Sequence, residues 1–194
     1  YLKDKELVLS EKLDGENQSV YRSGVYARSH AAPTTNPWSI NMTERGGVYD
    51  QVKNFLTENE GIYGENMYSI HSIEYNKLPT YFFMFAARDD RFWYSWKEVE
   101  ELAEMLNLYT VPVLEKRVFE SPEDLEKTIL NYMTKGSRYG DTIEGVVVRN
   151  AASFPLEDFS KNVVKYVRKN HVQTNEHWKR NWKRAKLIYE IKHE

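Results

Sequence analysis

The stretch Glu11-Lys12-Leu13-Asp14-Gly15-Glu16-Asn17 places a lysine two residues ahead of an acid and a glycine. This spacing suits a nucleophilic amine held in a tight turn against a phosphate. An ammonium group attacks only after it loses its proton, which burial and neighbouring cations favour. Asp14 would orient the amine or bind a hydrated metal, Gly15 would let the backbone approach a phosphate, and Asn17 would offer amide donors. The alternative is a surface hairpin turn with Asp-Gly at its tip.

The composition is that of one ordinary globular domain. The chain has 194 residues, of which 41% are hydrophobic and 29% are charged. Its longest apolar run, Tyr81 to Ala87, has the length of a strand and falls far short of the roughly 20 residues of a membrane span. Cysteine is absent, which excludes disulfides and thiolate catalysis. No secretory leader is recognisable, so we expect a cytoplasmic protein without a membrane partner.

The charge is unevenly distributed although the net charge is only −2. The segment from Lys161 to Lys186 is rich in lysine and arginine and has Glu176 as its single acid. With Trp178 and Trp182 inside it, this segment suits a surface that binds a phosphate backbone. A solvated helix face with two buried tryptophans explains the pattern equally well.

The hydrophobic patterning predicts an α+β fold. A capping box at Ser95 and a cap at Ser121 followed by proline and two acids predict two helices. A third helix is expected from about residue 47 or 49 to 57, and a fourth after Thr174. Strands interrupted irregularly by helices argue against a doubly wound parallel sheet. The predicted strands are Leu7–Leu9, Ser19–Arg22, Gly61–Tyr68, Tyr81–Ala87, Gly145–Arg149 and Val163–Arg168.

Chemistry-bearing residues recur at the ends of these strands. Glu65 comes after the run Gly61–Tyr63 within the predicted strand and can accept hydrogen bonds from ribose hydroxyls. Phe85 can stack on a purine, and Phe83 is expected in the core. Glu144 precedes a buried-looking strand and can ligate magnesium or manganese. Lys165 lies within an apolar strand, where an isolated charge is costly, so it should face a site or an anion.

In this order, Lys12-x-Asp-Gly, Arg28, Gly64-Glu65, Phe85, Glu144-Gly145 and Lys165 resemble the motifs of covalent nucleotidyltransferases, namely DNA ligases, RNA ligases and mRNA capping enzymes. Asn17 after the glycine resembles the RNA ligase type. Three further stretches resemble a bacterial and phage RNA ligase family: His71-Ser-Ile-Glu-Tyr with Leu78-Pro-x-Tyr-Phe-Phe83, Thr110-Val-Pro-Val-Leu114, and Lys165 to Trp178.

The resemblance implies the ligase adenylation fold, in which two antiparallel sheets are flanked by helices and the nucleotide lies between them. It also implies ATP-dependent sealing of RNA ends, from a nicked duplex or a broken tRNA, through AMP attached to Lys12. Catalytic roles would fall to Lys12, Glu144 and Lys165, and metal binding to Glu144 and Asp14. Nucleotide contacts would come from Glu11, Lys12, Asp14, Asn17, Arg28, Glu65, Phe85, Glu144 and Lys165.

Two departures from the family pattern concern single positions. Ala86 stands where many relatives carry Asp, and no second lysine follows Lys165 at the expected spacing. Too little chain follows Val167 for an OB barrel, which favours an RNA ligase over a DNA ligase or a capping guanylyltransferase. We therefore expect an adenylation domain over 1–172, a basic helical extension of it over 173–194, and substrate binding supplied by another domain or a protein partner. A non-catalytic RNA-binding relative remains the alternative.

Overall fold

A computed structural model describes residues 2–169 and 179–192, and within these ranges the chain is built on two sheets. The strands, in chain order, are β1 (Glu6–Lys12), β2 (Glu16–Tyr21), β3 (Gly24–Tyr26), β4 (Gly61–Asn66), β5 (Phe82–Arg88), β6 (Phe92–Trp93), β7 (Tyr109–Thr110), β8 (Val113–Val118), β9 (Gly145–Asn150), β10 (Phe154–Pro155) and β11 (Val163–Val167). The smaller sheet has the order β11-β9-β1-β8, and the larger has the order β10-β6-β5-β4-β2-β3. All pairs are antiparallel except β7, which runs parallel to β5.

The helices lie outside the sheets. They are α1 (Ile40–Thr43), α2 (Val48–Val52), α3 (Trp96–Met105), α4 (Pro122–Met133), α5 (Phe159–Asn162) and α6 (Ile188–Lys192), with 3-10 turns at Pro37–Ser39, Lys53–Phe55 and Leu156–Asp158. No helix within the described ranges is long and apolar enough to cross a membrane.

Each sheet buries one face under helices and turns the other towards the opposite sheet. In the larger sheet, Val20 and Ile62 share a core with Val99 of α3. In the smaller sheet, Leu9 and Val146 pack with Ile129 of α4. Because side chains alternate along a strand, the residues between these core positions face the space between the sheets. This alternation positions the site residues described below.

Two of the sequence-predicted helices begin where expected. Ser95 accepts a hydrogen bond from the backbone N–H of Glu98, whose side chain in turn accepts from the Ser95 backbone, so the capping box of α3 is confirmed. Ser121 accepts from the N–H of Asp124 at the start of α4. The third predicted helix is present as α2 and the 3-10 turn that continues it.

The predicted continuous fourth helix is wrong over residues 182–187, while residues 174–178 lie outside the described ranges. Ile70 donates to the carbonyl of Lys183, Ala185 donates to the carbonyl of Tyr68, and Arg184 forms a β-bridge with Ser69. Extended pairing with the 68–70 segment therefore replaces helical hydrogen bonds, and only α6 follows. Trp182 packs against Trp38 and Tyr68 and is half-buried.

Gly145 allows the close approach of β9 and β11. A Cβ atom at this position would overlap the backbone carbonyl oxygen of Tyr166. We expect Gly145→Ala to lower the free energy of unfolding by about 1–3 kcal/mol, as overpacking of a tight contact does. Urea unfolding would measure the change.

The matched control is Val164→Ala on the facing strand, since Val164 is 58% exposed. It should change the unfolding midpoint much less than Gly145→Ala. Equal midpoints for the two variants would contradict the close approach of the strands.

Candidate active site

A cavity of about 620 Å³ lies between the two sheets. The smaller sheet contributes Lys12 and Lys165, and the larger sheet contributes Asn17, Glu65 and Phe85. The predicted residues Asp14, Arg28 and Glu11 also border it. The structure thus brings residues from distant parts of the sequence to one space, and Glu144 joins them through its contact with Lys12.

Lys12 forms an ion pair with Glu144 at the centre of the site. Lys12 Nζ lies 2.9 Å from Glu144 Oε1, with the glutamate side chain fully buried and the lysine side chain 18% exposed. The pairing follows from strand register, because Lys12 at the end of β1 lies opposite Gly145 at the start of β9. We expected cations around this amine, but its closest charged partner is a carboxylate.

Asp14 fixes the loop that follows β4. Its Oδ2 accepts hydrogen bonds from the backbone N–H groups of Ser72 (2.8 Å) and Ile73 (2.7 Å). Its own N–H donates to the hydroxyl of Tyr75 at 2.9 Å. The Asp14 side chain is buried, so the turn after Lys12 is part of the interior rather than an exposed hairpin tip. These contacts give Asp14 a positioning role, and its predicted role as a metal ligand stays a prediction.

Glu65 faces Lys12 from the larger sheet. Its Oε1 accepts from the backbone N–H of Gly15 at 3.0 Å, which places the carboxylate against the turn. Burial raises the pKa of Glu65 from 4.5 to about 8, and the nearby Glu144 adds to this, while Lys12 opposes it. Gly15 permits the contact, because a Cβ there would lie 2.6 Å from the Asn66 carbonyl oxygen.

The two phenylalanines of β5 differ in burial as the sequence predicts. Phe83 is fully buried in the core with Tyr139 and Tyr109 around its ring. Phe85 is half-buried and lines the cavity, next to Ala86. A cavity-facing aromatic ring offers a flat apolar surface for a base.

Three of the predicted nucleotide-contact residues, Asn17, Arg28 and Lys165, lie at the exposed border of the cavity. Arg28 follows β3, and Asn17 lies on β2; both are exposed. Lys165 is also exposed, because β11 is the edge strand of the smaller sheet. The expectation that Lys165 lies in a buried strand is therefore wrong, although the residue does line the cavity.

Glu11 borders the cavity, but both of its carboxylate oxygens are hydrogen-bonded to the 137–138 turn. Its Oε2 accepts from the Ser137 hydroxyl at 2.5 Å, and its Oε1 accepts from the Arg138 N–H at 2.9 Å. Burial raises the pKa of this carboxyl, which these hydrogen bonds oppose. Both oxygens are therefore used to hold the 137–138 turn on β1, and the geometry gives Glu11 a structural role.

The cavity lining includes Arg149, His71 and Lys179, which were not predicted as site residues. Arg149 is buried, donates to the carbonyls of Tyr94, Asn150 and Ala152, and has a pKa lowered to about 10 by burial. His71 lies in the loop fixed by Asp14, and burial lowers its pKa. Lys179 lines the cavity from beyond β11. Only spatial proximity identifies Lys179, which the sequence presents as one cation of a basic segment.

The acids of the site suit a divalent cation held jointly with phosphates. Among the described residues, no group of three or more His, Cys, Asp or Glu side chains could hold a metal alone. Magnesium and manganese commonly bind through one or two carboxylates plus substrate phosphate oxygens. Glu144 provides such a carboxylate beside Lys12, so the donor set fits this kind of binding.

A family profile described as RNA ligase matches residues 5–167. A search of curated protein sequences finds no match. A Naegleria gruberi RNA ligase variant with ATP and Mn has a TM-score of 0.63 and 21% identity over 86% of this chain and 51% of that one.

Two further solved structures share the fold at lower TM-scores. A putative ATP-dependent DNA ligase from Aquifex aeolicus has a TM-score of 0.54 and 21% identity over 86% of this chain and 44% of that one. An archaeal ATP-dependent RNA ligase has a TM-score of 0.56 and 15% identity over 85% of this chain and 43% of that one. At these identities the likeness establishes the fold, and the chain spans about half the length of these proteins.

The raised pKa of Glu65 predicts how stability changes with pH. Between pH 4.5 and about 8 the folded state keeps a proton that the unfolded state has lost. The free energy of unfolding should therefore decrease as pH rises through this window, and Glu65→Gln should remove that contribution. Urea unfolding at pH 5 and pH 8.5, compared between wild type and variant, measures the difference.

The exposed Glu74 provides the matched control. Glu74→Gln should keep the pH dependence of the wild type. A Glu65→Gln variant that loses as much stability as wild type between the two pH values would show that Glu65 titrates normally.

Proposed function

Because the chain belongs to the RNA ligase family, we propose that it is an ATP-dependent RNA ligase. It would join 3′-hydroxyl and 5′-phosphate RNA ends through AMP attached covalently to Lys12. The observation that carries the proposal is the position of Lys12 at the wall of a cavity between the sheets. Its amine is paired with the buried carboxylate of Glu144, and the half-buried Glu65 faces it from the other sheet.

In the first step Lys12 Nζ attacks the α-phosphorus of ATP. A nitrogen–phosphorus bond forms, the bond to the bridging oxygen breaks, and pyrophosphate leaves. The ammonium must first lose a proton, and Glu144 Oε1, at 2.9 Å, is an acceptor within hydrogen-bond reach. The ion pair also holds the amine at the cavity wall, which reduces the orientational cost of the attack.

The remaining cavity residues suit the parts of the nucleotide. Phe85 offers a ring for adenine, and Glu65 offers oxygens for the ribose hydroxyls. Asn17, Arg28 and Lys165 lie at the exposed border, where they can contact phosphate oxygens. Lys179 adds a cation at this border. We propose that it takes the role of the second lysine that the family pattern has after Lys165 and that this chain lacks.

A divalent metal fits the site together with the phosphates, and Glu144 is the residue that would hold it. When bound, Mg²⁺ or Mn²⁺ would supply positive charge to the phosphate oxygens. The neighbouring structures include RNA ligase variants determined with ATP and Mn.

Two nucleotidyl transfers complete the reaction. The 5′-phosphate of an RNA strand attacks the phosphorus of the lysine-bound AMP and releases the amine. The 3′-hydroxyl of a second strand then displaces AMP, and a phosphodiester bond forms. The RNA ends would come from a nicked duplex, a broken tRNA or single strands, and a further domain or a protein partner would contribute to their binding. We assign 1–172 to the adenylation domain and 173–194 to a basic extension of it.

Lys12→Ala is expected to abolish covalent attachment of AMP. Incubation with α-labelled ATP and Mg²⁺ or Mn²⁺, followed by a denaturing gel, detects the adduct, and pyrophosphate should remove it. Protein purified already carrying AMP would show the added mass before incubation. Lys12→Ala should still join RNA whose 5′ end carries AMP beforehand, because that step bypasses the amine.

The control is Lys5→Ala, which alters an exposed lysine just before β1 and should be labelled like wild type. Normal sealing of unadenylylated RNA by Lys12→Ala would refute the proposal. Labelling from GTP but not ATP would favour a capping guanylyltransferase. Salt-sensitive RNA binding without any adduct would favour a non-catalytic RNA-binding relative.

Lys179→Ala should slow AMP attachment about tenfold, less than loss of a buried donor does, because exposed charges are screened. Single-turnover labelling at low and high salt measures the rate, and the defect should shrink at high salt. Lys183→Ala removes a neighbouring exposed lysine outside the cavity and should label normally. Equal rates for both variants would exclude the assignment of Lys179.

A further inference from the structure

A second cleft opens on the larger sheet beside the active-site cavity. It has a volume of about 380 Å³. We call it the tyrosine cleft, and its lining residues are Tyr21, Ser23, Tyr26, His30, Tyr63 and Arg88. None of them is among the predicted site residues.

The tyrosine cleft lies on the face of the sheet that also holds the nucleotide site. Asn17 and Tyr21 are four residues apart on β2, and Glu65 and Tyr63 are two apart on β4, so each pair shares a face. Four residues of strand span about 13 Å. A nucleic acid strand that leaves the active site along β2 would therefore meet the cleft within a few nucleotides.

The two sites are in contact through aromatic side chains. The ring of Tyr63, which lines the cleft, lies 5.0 Å from the ring of Trp93, which lines the active-site cavity. Phe85 packs in the same cluster as these two rings. The wall between the sites thus presents flat apolar surface on both sides.

The chemistry of the cleft matches a nucleobase. The rings of Tyr26 and His30 are stacked at 5.8 Å with 24° between their planes, and His30 is exposed. The hydroxyls of Tyr21 and Tyr63 are hydrogen-bonded to each other at 2.6 Å, which fixes the floor. Every base has a face that stacks on such rings, and unstacked RNA bases are commonly bound this way.

Arg88 gives the cleft a cation that its own surroundings leave incompletely satisfied. Its Nε is buried and has no hydrogen-bond partner among the described residues. The neighbouring Asp89 uses Oδ1 to accept from the N–H groups of Arg91 and Phe92 in its own turn. A guanidinium beside stacked rings suits a base edge or a backbone phosphate.

We propose that the tyrosine cleft binds one base of the RNA strand during ligation, with the base stacking on His30, whose other side is supported by Tyr26, and Arg88 contacting the edge of the base or its phosphate. This inference rests on the proposed function, because it names a subsite for the same substrate. The site binds RNA and takes no part in the attachment of AMP.

The test uses a 5′-phosphorylated single-stranded RNA carrying 2-aminopurine at one position, which is moved along the strand. Stacking quenches 2-aminopurine, so wild type should quench it most strongly at one position. Tyr26→Ala, His30→Ala and Arg88→Gln should remove that quenching and weaken RNA binding roughly tenfold, as the loss of one base stack does. All three should take AMP from ATP at the wild-type rate. Tyr189→Ala removes a tyrosine on α6 that is 58% exposed and should behave as wild type.

RNA affinities within twofold of wild type for all three variants would overturn the proposal, as would an equal loss in Tyr189→Ala. If a free 2-aminopurine nucleoside triphosphate is quenched by wild type but not by His30→Ala, the cleft is a site for free nucleotides, and the proposal is overturned. A wild type that binds RNA but neither carries AMP as purified nor takes it from ATP would refute the ligase activity and leave the cleft intact. A wild type that binds no RNA would refute the cleft together with the substrate class.

Discussion

The site depends on the register between β1 and β9. Lys12 and Gly145 are paired across these strands, so the residue before Gly145 reaches the amine from a buried position. A slip by one residue would turn Lys12 towards the core under α4 and Glu11 towards the cavity, because side chains alternate along a strand. Two features oppose such a slip: Leu9 and Val148 are packed in the core, and both oxygens of Glu11 are held by the 137–138 turn.

The cavity has a high density of carboxylates, although the proposed function requires it to bind a polyphosphate. Glu144, Glu65 and Asp14 lie around a single amine, and the raised pKa of Glu65 reflects the burial of charge there. A triphosphate entering this space needs positive charge from elsewhere. In the proposed reaction Arg28, Lys165 and Lys179 supply it from the exposed border of the cavity, and a divalent cation would add to it. In the proposed reaction the nucleophile Lys12 therefore lies among acids, and phosphate recognition falls to exposed cations.

Local sequence signals predict much of this fold. α3 and α4 follow from caps and helical periodicity, and β1, β4, β5 and β9 follow from apolar runs. β8 was missed because it is the edge of the smaller sheet and carries Glu115, Lys116 and Arg117 in succession, which masks any strand pattern. The tail was assigned to helix because its tryptophan spacing fits one, yet pairing with the 68–70 segment decides its conformation. The motif residues identified the cavity, whereas the contributions of Arg149 and Lys179 and the orientation of Glu11 depend on tertiary contacts that no local pattern encodes.

The pairing of residues 183–185 with the 68–70 segment has a consequence for the size of the folding unit. This segment leads directly into the loop that Asp14 holds beside the active site. Residues 183–185, which lie beyond the family match at 167, therefore hold the segment that leads to the Asp14 contacts after Lys12. We therefore expect the smallest fragment that folds on its own to include them, and a boundary drawn at the last shared motif would remove this pairing.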